Sequence, residues 1–138
     1  MDRVQGFHVG FTGTRNGMSD RQKEALARLL AHYAKEHPIR WFHHGDCVGA
    51  DEEAHAQAVA AGYKICLHPP TSNGLRAHCP AEHTCEPEPY LMRNQSIVHH
   101  AFVLVGAPKE KDEQLRSGTW ATIRRGRKRP MPVHVLDP

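Results

Sequence analysis

Phe7-His8-Val9-Gly10-Phe11-Thr12-Gly13-Thr14-Arg15 sets glycine and small polar residues at the end of a short apolar run. Two distant segments repeat the arrangement. Gly45-Asp46-Cys47-Val48-Gly49-Ala50-Asp51 follows the apolar stretch Ile39 to His43, and Arg116-Ser117-Gly118-Thr119-Trp120 follows Ala101 to Val105 across a polar loop. Parallel strands in these runs would put all three segments at strand C-terminal ends, each opening into a helix. That edge of an open α/β sheet is where ligands bind. Backbone N–H groups with no side-chain bulk in front of them make a cradle for phosphate. Neither a Walker lysine nor the full dinucleotide fingerprint is present, so those two modes of nucleotide binding fall away.

Outward from the first segment, Ser19 with Gln22 three residues on predicts a capping box. Ala25, Leu26, Leu29, Leu30 and Tyr33 then share one helical face, and Pro38 closes that helix. Ile39–His43 reads as the second strand, and Asp51–Ala61 as an alanine-rich helix capped by Gly62. Lys64–Leu67 is a third strand. After Pro69-Pro70 comes a proline-rich connection of about twenty residues, longer than compact domains usually carry without a binding role. Tyr90–His100 predicts a helix with Leu91, Ile97 and Val98 inward. Ala101–Val105, the most continuous apolar run, predicts a central strand covered on both faces. A helix over Thr119–Lys128 and a fifth strand at Val133–Leu136 complete an alternation that requires a parallel sheet with right-handed crossovers.

A chain of 138 residues, 39% of them hydrophobic, is expected to fold as one domain spanning 1–138 and is not of disordered composition. No stretch approaches the roughly 18 uninterrupted apolar residues of a membrane helix. Met1-Asp2-Arg3-Val4-Gln5 lacks a leader profile, so the cytoplasm is the expected compartment. The net charge of +3 is concentrated at the end of the chain, largely in Arg124-Arg125-Gly126-Arg127-Lys128-Arg129. That run reads as a solvated face and a cationic helix C-terminus, with a phosphate or nucleic-acid patch as the alternative.

The ordered set Gly10–Arg15, His44-Gly45…Gly49-Ala50-Asp51, His68-Pro69-Pro70, Tyr90…Arg93-Asn94 and Ser117-Gly118-Thr119-Trp120 resembles the SLOG superfamily. That group joins DNA-processing protein A to the Lonely Guy nucleotide hydrolases and includes small stand-alone members. The resemblance covers about Phe7 to Pro138. It implies a Rossmann-like three-layer αβα sandwich of about five parallel strands, ordered 3-2-1-4-5 when numbered along the chain. It also implies a nucleotide or nucleotide-derived ligand, such as an ADP-ribose-type signal, with no resident cofactor and with a homo-oligomer as a possible assembly. Fold alone does not fix which function is grafted on it.

Carried onto this chain, the resemblance makes Gly13 and Thr14 backbone and hydroxyl donors to a phosphate, with Arg15 able to grip it bidentately. Gly45, Gly49 and Ala50 would let the ligand approach the second helix. Asp51 either contacts a ribose hydroxyl or only serves its helix start. Arg93 matches the arginine that Lonely Guy enzymes use near the glycosidic bond, and Asn94 follows it; the alternative is a surface helix pair. Ser117, Gly118 and Thr119 match the family's phosphate-binding segment, at a helix N-terminus that favours an anion. Trp120 either stacks on a base or packs against the sheet. Thr122 stands where Lonely Guy enzymes carry a glutamate, so the acid/base partner for N-glycoside cleavage is missing unless Asp46 or Asp51 replaces it.

Three readings follow: a nucleotide-type binder, an N-glycosidase using Arg93 and Asp51, and a single-stranded nucleic-acid binder using residues 124–129. The four cysteines read as free thiols or metal ligands rather than as disulfides, with Cys66 a small core residue. His78, Cys79, His83 and Cys85 bring four N/S donors into the long connection, yet their spacing matches no zinc knuckle or ribbon. The expected reading there is an irregular polar loop without metal. Of His43 and His44, strand alternation lets only one face any given ligand. His44, next to the glycine loop, is the better placed of the two.

Overall fold

The computed structural model describes residues 5–138; the stretch Met1–Val4, read above for its lack of a leader, lies outside them. The elements in chain order are β1 (Phe7–Gly13), α1 (Asp20–Glu36), β2 (Arg40–His44), α2 (Ala50–Ala60), β3 (Lys64–Leu67), β4 (His83–Thr84), α3 (Tyr90–His100), β5 (Val103–Ala107), α4 (Gly118–Arg127) and β6 (Val133–Val135). All strand pairs are parallel, in the order β4-β3-β2-β1-β5-β6. The expected order holds for five strands. The sixth, β4, lies inside the connection expected to be irregular, and its two residues are too few to show any periodicity.

The two faces of the sheet carry different chemistry. Val9 and Phe11 of β1, Phe42 of β2, Ile65 and Leu67 of β3, and Val103 and Val105 of β5 form the main core with Leu26 and Leu30 of α1 and Ala54 and Ala58 of α2. The alternate residues face α3 and α4. Leu104 packs there with Ile97 and Val98, but His8, His43 and Cys66 occupy the same face and are also buried. α3 is rotated from the expected orientation: Leu91 is 60% exposed, whereas Arg93 is buried in line with Ile97. The register is i, i+4, and a cation has taken a place that an apolar residue was expected to fill.

The capping box forms as predicted, Gln22 N–H donating to Ser19 Oγ at 3.1 Å and Ser19 N–H to Gln22 Oε1 at 3.0 Å. Gln22 also reaches into the core. Its amide donates to the carbonyls of Pro108 at 2.7 Å and Leu136 at 3.1 Å, satisfying the chain where it leaves β5 and β6. One buried side chain therefore joins the start of α1 to two strand ends. Ser19→Ala should cost about 1 kcal/mol, the worth of an N-cap. Gln22→Leu should cost more, about 3 kcal/mol, because two buried carbonyls lose their donor. Urea denaturation of both variants measures the difference.

Candidate functional site

In this topology the chain runs outward from β1 through β2, β3 and β4, then crosses back to β5, so the strand order reverses between β1 and β5. Open α/β sheets leave a crevice at such a switch point. A cleft of about 340 Å³ lies there, lined by residues 11–16 at the end of β1 and just beyond it, by Gly45, Cys47 and Asp51 around β2 and α2, by Tyr90, Arg93, Asn94 and Ile97 of α3, and by residues 116–119 at the start of α4. All three glycine-bearing segments reach it.

Arg93 forms the floor. It is 6% exposed, and its Nη1 donates to the carbonyls of Gly45 at 2.6 Å and His68 at 3.2 Å. Nε donates to Asn94 Oδ1 at 2.8 Å. Among the described residues no ion pair involves this guanidinium. Gly45 is required for the arrangement, since a Cβ there would collide with Arg93 Nη1. Tyr90 stands between Arg93 and Arg15, each guanidinium carbon 5.2 Å from the ring centroid. The aromatic face holds two like charges near one another by attraction to both. Arg116 adds a third cation to the lining, and the one acidic side chain of the lining is Asp51.

Asp51 Oδ2 accepts from the N–H groups of Gly45 at 3.1 Å and Cys47 at 3.2 Å, stapling the loop after β2 to the first turn of α2. Burial raises its pKa to about 6, against the opposing pull of Arg93 and the two N–H donors. Cys47, beside Arg93, has its thiol pushed up by burial and by Asp51.

The helix N-terminus of α4 forms the opposite wall. Ser117 caps it, Oγ accepting from Trp120 N–H at 3.2 Å. Gly118 and Thr119 stand in the first turn, where a helix supplies no partner for their N–H groups. A Cβ on Gly118 would meet nothing within 4 Å.

Of the residues singled out by sequence, Gly13, Thr14, Arg15, Gly45, Asp51, Arg93, Asn94, Ser117, Gly118 and Thr119 line the cleft, and Asp46, Gly49, Ala50 and Trp120 do not. Asp46 has a φ of 57°, which turns its buried carboxylate away toward Arg76 at 2.7 Å and Cys79 N–H at 2.9 Å. Gly49, with a φ of 89°, lies against the Arg15 carbonyl, and Ala50 N–H donates to Thr14 O at 2.9 Å. These two residues seal α2 onto the first loop. Trp120 is buried, 4% exposed, with Arg127 over its ring at 6.0 Å. Thr14 reaches the cleft with its donors already engaged, N–H on Ala107 O at 3.1 Å and hydroxyl on Asn16 Oδ1 at 3.1 Å. Thr122 is buried, its hydroxyl donating to Gly118 O at 2.9 Å.

Sequence reading missed Tyr90 as an electrostatic element and passed over Cys47, Asn16 and Arg116 as lining residues. Arg116 carried the available signal, standing as the first residue of the third glycine segment. His44 does not line the cleft: Nε2 bonds His55 at 3.0 Å, Nδ1 accepts from Asp46 N–H at 3.0 Å, and burial lowers its pKa to about 3. The donors of the long connection do not form one set. Cys79 joins His44 and His55, whereas His83 and Cys85 join Cys66, and among the described residues His78 is in neither group. In the basic run, Arg124 and Arg127 are paired with Glu113, at 2.9 and 3.8 Å, while Arg125, Lys128 and Arg129 line a second cleft of about 490 Å³ between α3 and α4. Among the described residues no helix is long and apolar enough to cross a membrane.

Strand order, switch-point cleft and helix placement define a Rossmann-like α/β fold. Solved structures sharing it include the molybdenum cofactor binding protein of Rippkaea orientalis, 16% identical, with a TM-score of 0.72 over 96% of this chain and 77% of that one. The molybdenum cofactor carrier protein of Chlamydomonas reinhardtii is 19% identical, with a TM-score of 0.66 over 96% of this chain and 76% of the other. DNA-processing protein A of Streptococcus pneumoniae is 19% identical, with a TM-score of 0.64 over 94% of this chain and 50% of its own. No family model matches the chain, and no curated protein matches it by sequence.

Asp51 yields a test with a definite sign. Its folded pKa of about 6 lies above the ordinary 3.8, so its contribution to stability is full below pH 3.8 and is lost as pH rises through 6. Relative to Asp51→Asn, the parent chain should lose up to about 3 kcal/mol across that window. Urea denaturation of both proteins at a series of pH values measures it.

Proposed function

We propose that the chain acts as one domain that binds a nucleotide or nucleotide-derived anion in the switch-point cleft. The observation that carries this reading is the imbalance of charge: Arg15, Arg93 and Arg116 line the cleft with a single carboxylate, and Arg93 is buried outside any ion pair among the described residues. A buried guanidinium is costly unless something negative compensates it, and an anionic ligand supplies that compensation. In this reading the phosphate sits at the α4 N-terminus over Gly118, with Arg15 and Arg116 at the rim. The cleft volume of about 340 Å³ suits a small ligand.

A second reading is supported by Asp51. A carboxyl with a pKa of about 6, in the same cleft as Arg93, is placed to exchange a proton near neutral pH, as hydrolysis of a nucleotide N-glycosidic bond requires. Thr122 supplies no carboxylate, so Asp51 would act alone.

Calorimetry against nucleoside mono- and diphosphates, ADP-ribose, cyclic dinucleotides and the molybdenum cofactor tests the first reading. Saturable binding is expected, and no binding at millimolar ligand by folded protein overturns it. Chromatography of the same mixtures for released base tests the second. Gly118→Val is the sharpest variant: a Cβ at this position meets nothing within 4 Å, so thermal stability should hold while affinity falls about 100-fold. Single-stranded DNA is the third arm; affinity that falls steeply with salt and survives Gly118→Val would transfer the function to Arg125, Lys128 and Arg129.

A further inference from the structure

The α3-facing side of the sheet ends in a cluster away from the cleft. Cys66 and His68 alternate on and just beyond β3, and His83 and Cys85 do the same on β4. Parallel pairing sets Cys66 opposite His83 and Leu67 opposite Thr84, so the next register position sets His68 opposite Cys85. Residues two apart on a strand share a face. The chain therefore writes Cys-x-His on one strand and His-x-Cys on its neighbour, with all four side chains directed to the same side.

The donor atoms of Cys66, His83 and Cys85 lie within 4.8 Å of one another. His68 Nε2 is 3.7 Å from Cys66 Sγ, and its imidazole lies beside Cys85 and helps lower the pKa of that thiol. Cys66 and His68 are each 1% exposed, and His68 Nδ1 is buried without a hydrogen-bond partner among the described residues. The same Nε2 of His68 meets His43 Nδ1 at 2.9 Å, and His43 Nε2 meets His8 Nδ1 at 2.7 Å, so Nδ1 is the nitrogen of His68 without a protein partner among the described residues.

We propose that Cys66, His68, His83 and Cys85 form a tetrahedral metal site that takes a zinc-class divalent ion. Two thiolates and two imidazoles without a carboxylate are the donor set of structural zinc. The place in the fold fits that role. β4 is two residues long, half-buried at His83 and exposed at Thr84, and it lies within a connection with little apolar burial of its own. A metal bonded to both strands fixes this edge where hydrophobic burial cannot. None of the four ligands lines the cleft, so the site stands or falls independently of the function proposed above.

The test uses the full chain without a polyhistidine tag, fully reduced and metal-stripped, titrated with zinc(II) and separately with cobalt(II). One ion per chain is expected, with thiolate-to-cobalt charge-transfer absorption and the intense visible bands of a tetrahedral centre, and with a rise in Tm on zinc addition. His83→Ala and Cys85→Ser should each weaken binding by at least about 100-fold, more than the loss of an outer partner costs. Cys79→Ser should leave it unchanged. The cobalt spectrum of the unaltered chain is informative even if a variant fails to fold. Folded, reduced protein that binds no cobalt overturns the proposal, as does a thiolate band that survives the His83→Ala, Cys85→Ser double variant. A band abolished by Cys79→Ser overturns it in favour of the group formed by His44, His55 and Cys79.

Discussion

The buried guanidinium of Arg93 is the constraint from which the site follows. It binds the carbonyls of Gly45 and His68, the residues that leave β2 and β3, and so ties α3 to the C-terminal ends of two strands. Those carbonyls end parallel strands and would otherwise point into an uncovered crevice. Nη1 of one guanidinium donates to both while Nε is left for Asn94, a second donor nitrogen that a lysine does not have. Gly45 gives way to admit it, Asp51 braces the loop that holds Gly45, and Asn94 and Tyr90 fix its remaining sides. Of the positive charge at the cleft, the part that Arg93 supplies therefore also finishes the sheet at that edge.

The loops around the cleft divide their labour unequally. The loop after β1 spends Thr14 on its own closure and on β5, and passes one cation, Arg15, to the cleft. The loop after β2 uses Asp46 to hold the long connection through Arg76 and Cys79, and Gly49 to fit against the first loop. The segment before α4 alone leaves space in front of its glycine. Three segments with similar composition therefore do three things: one closes, one braces, one is open.

Much of the fold was legible because it rests on periodicity and caps. The alternation of apolar strands with helices gave the parallel sheet, and Ser19 with Gln22 gave the first helix start. Most of the cleft lining was legible from glycine placement. What escaped depended on long-range contact. Leu91 suited the inward face of α3 by type, but the carbonyls at the strand ends required Arg93 there, and a single-sequence pattern carries no trace of that demand. Asp46 and Trp120 have the residue types of ligand contacts, and only the backbone twist at Asp46 and the burial of Trp120 remove them. β4 was illegible because pairing with β3, not its own sequence, makes it a strand.

The chain of imidazoles behind the α3 face has a property that none of its members has alone. His8 Nδ1 meets His43 Nε2 at 2.7 Å, and His43 Nδ1 meets His68 Nε2 at 2.9 Å. Burial and neighbouring rings hold His43 well below the usual histidine pKa, so the ring at the middle of the chain is neutral. A neutral imidazole carries one proton, donating once and accepting once. Along the two bonds the rings must then point all one way or all the other, because reversing one ring alone sets two protons, or two lone pairs, against each other. Tautomer choice is consequently a joint variable spanning β1, β2 and the end of β3, and whatever fixes the proton at His68 fixes it at His8 on the opposite side of the central strand pair.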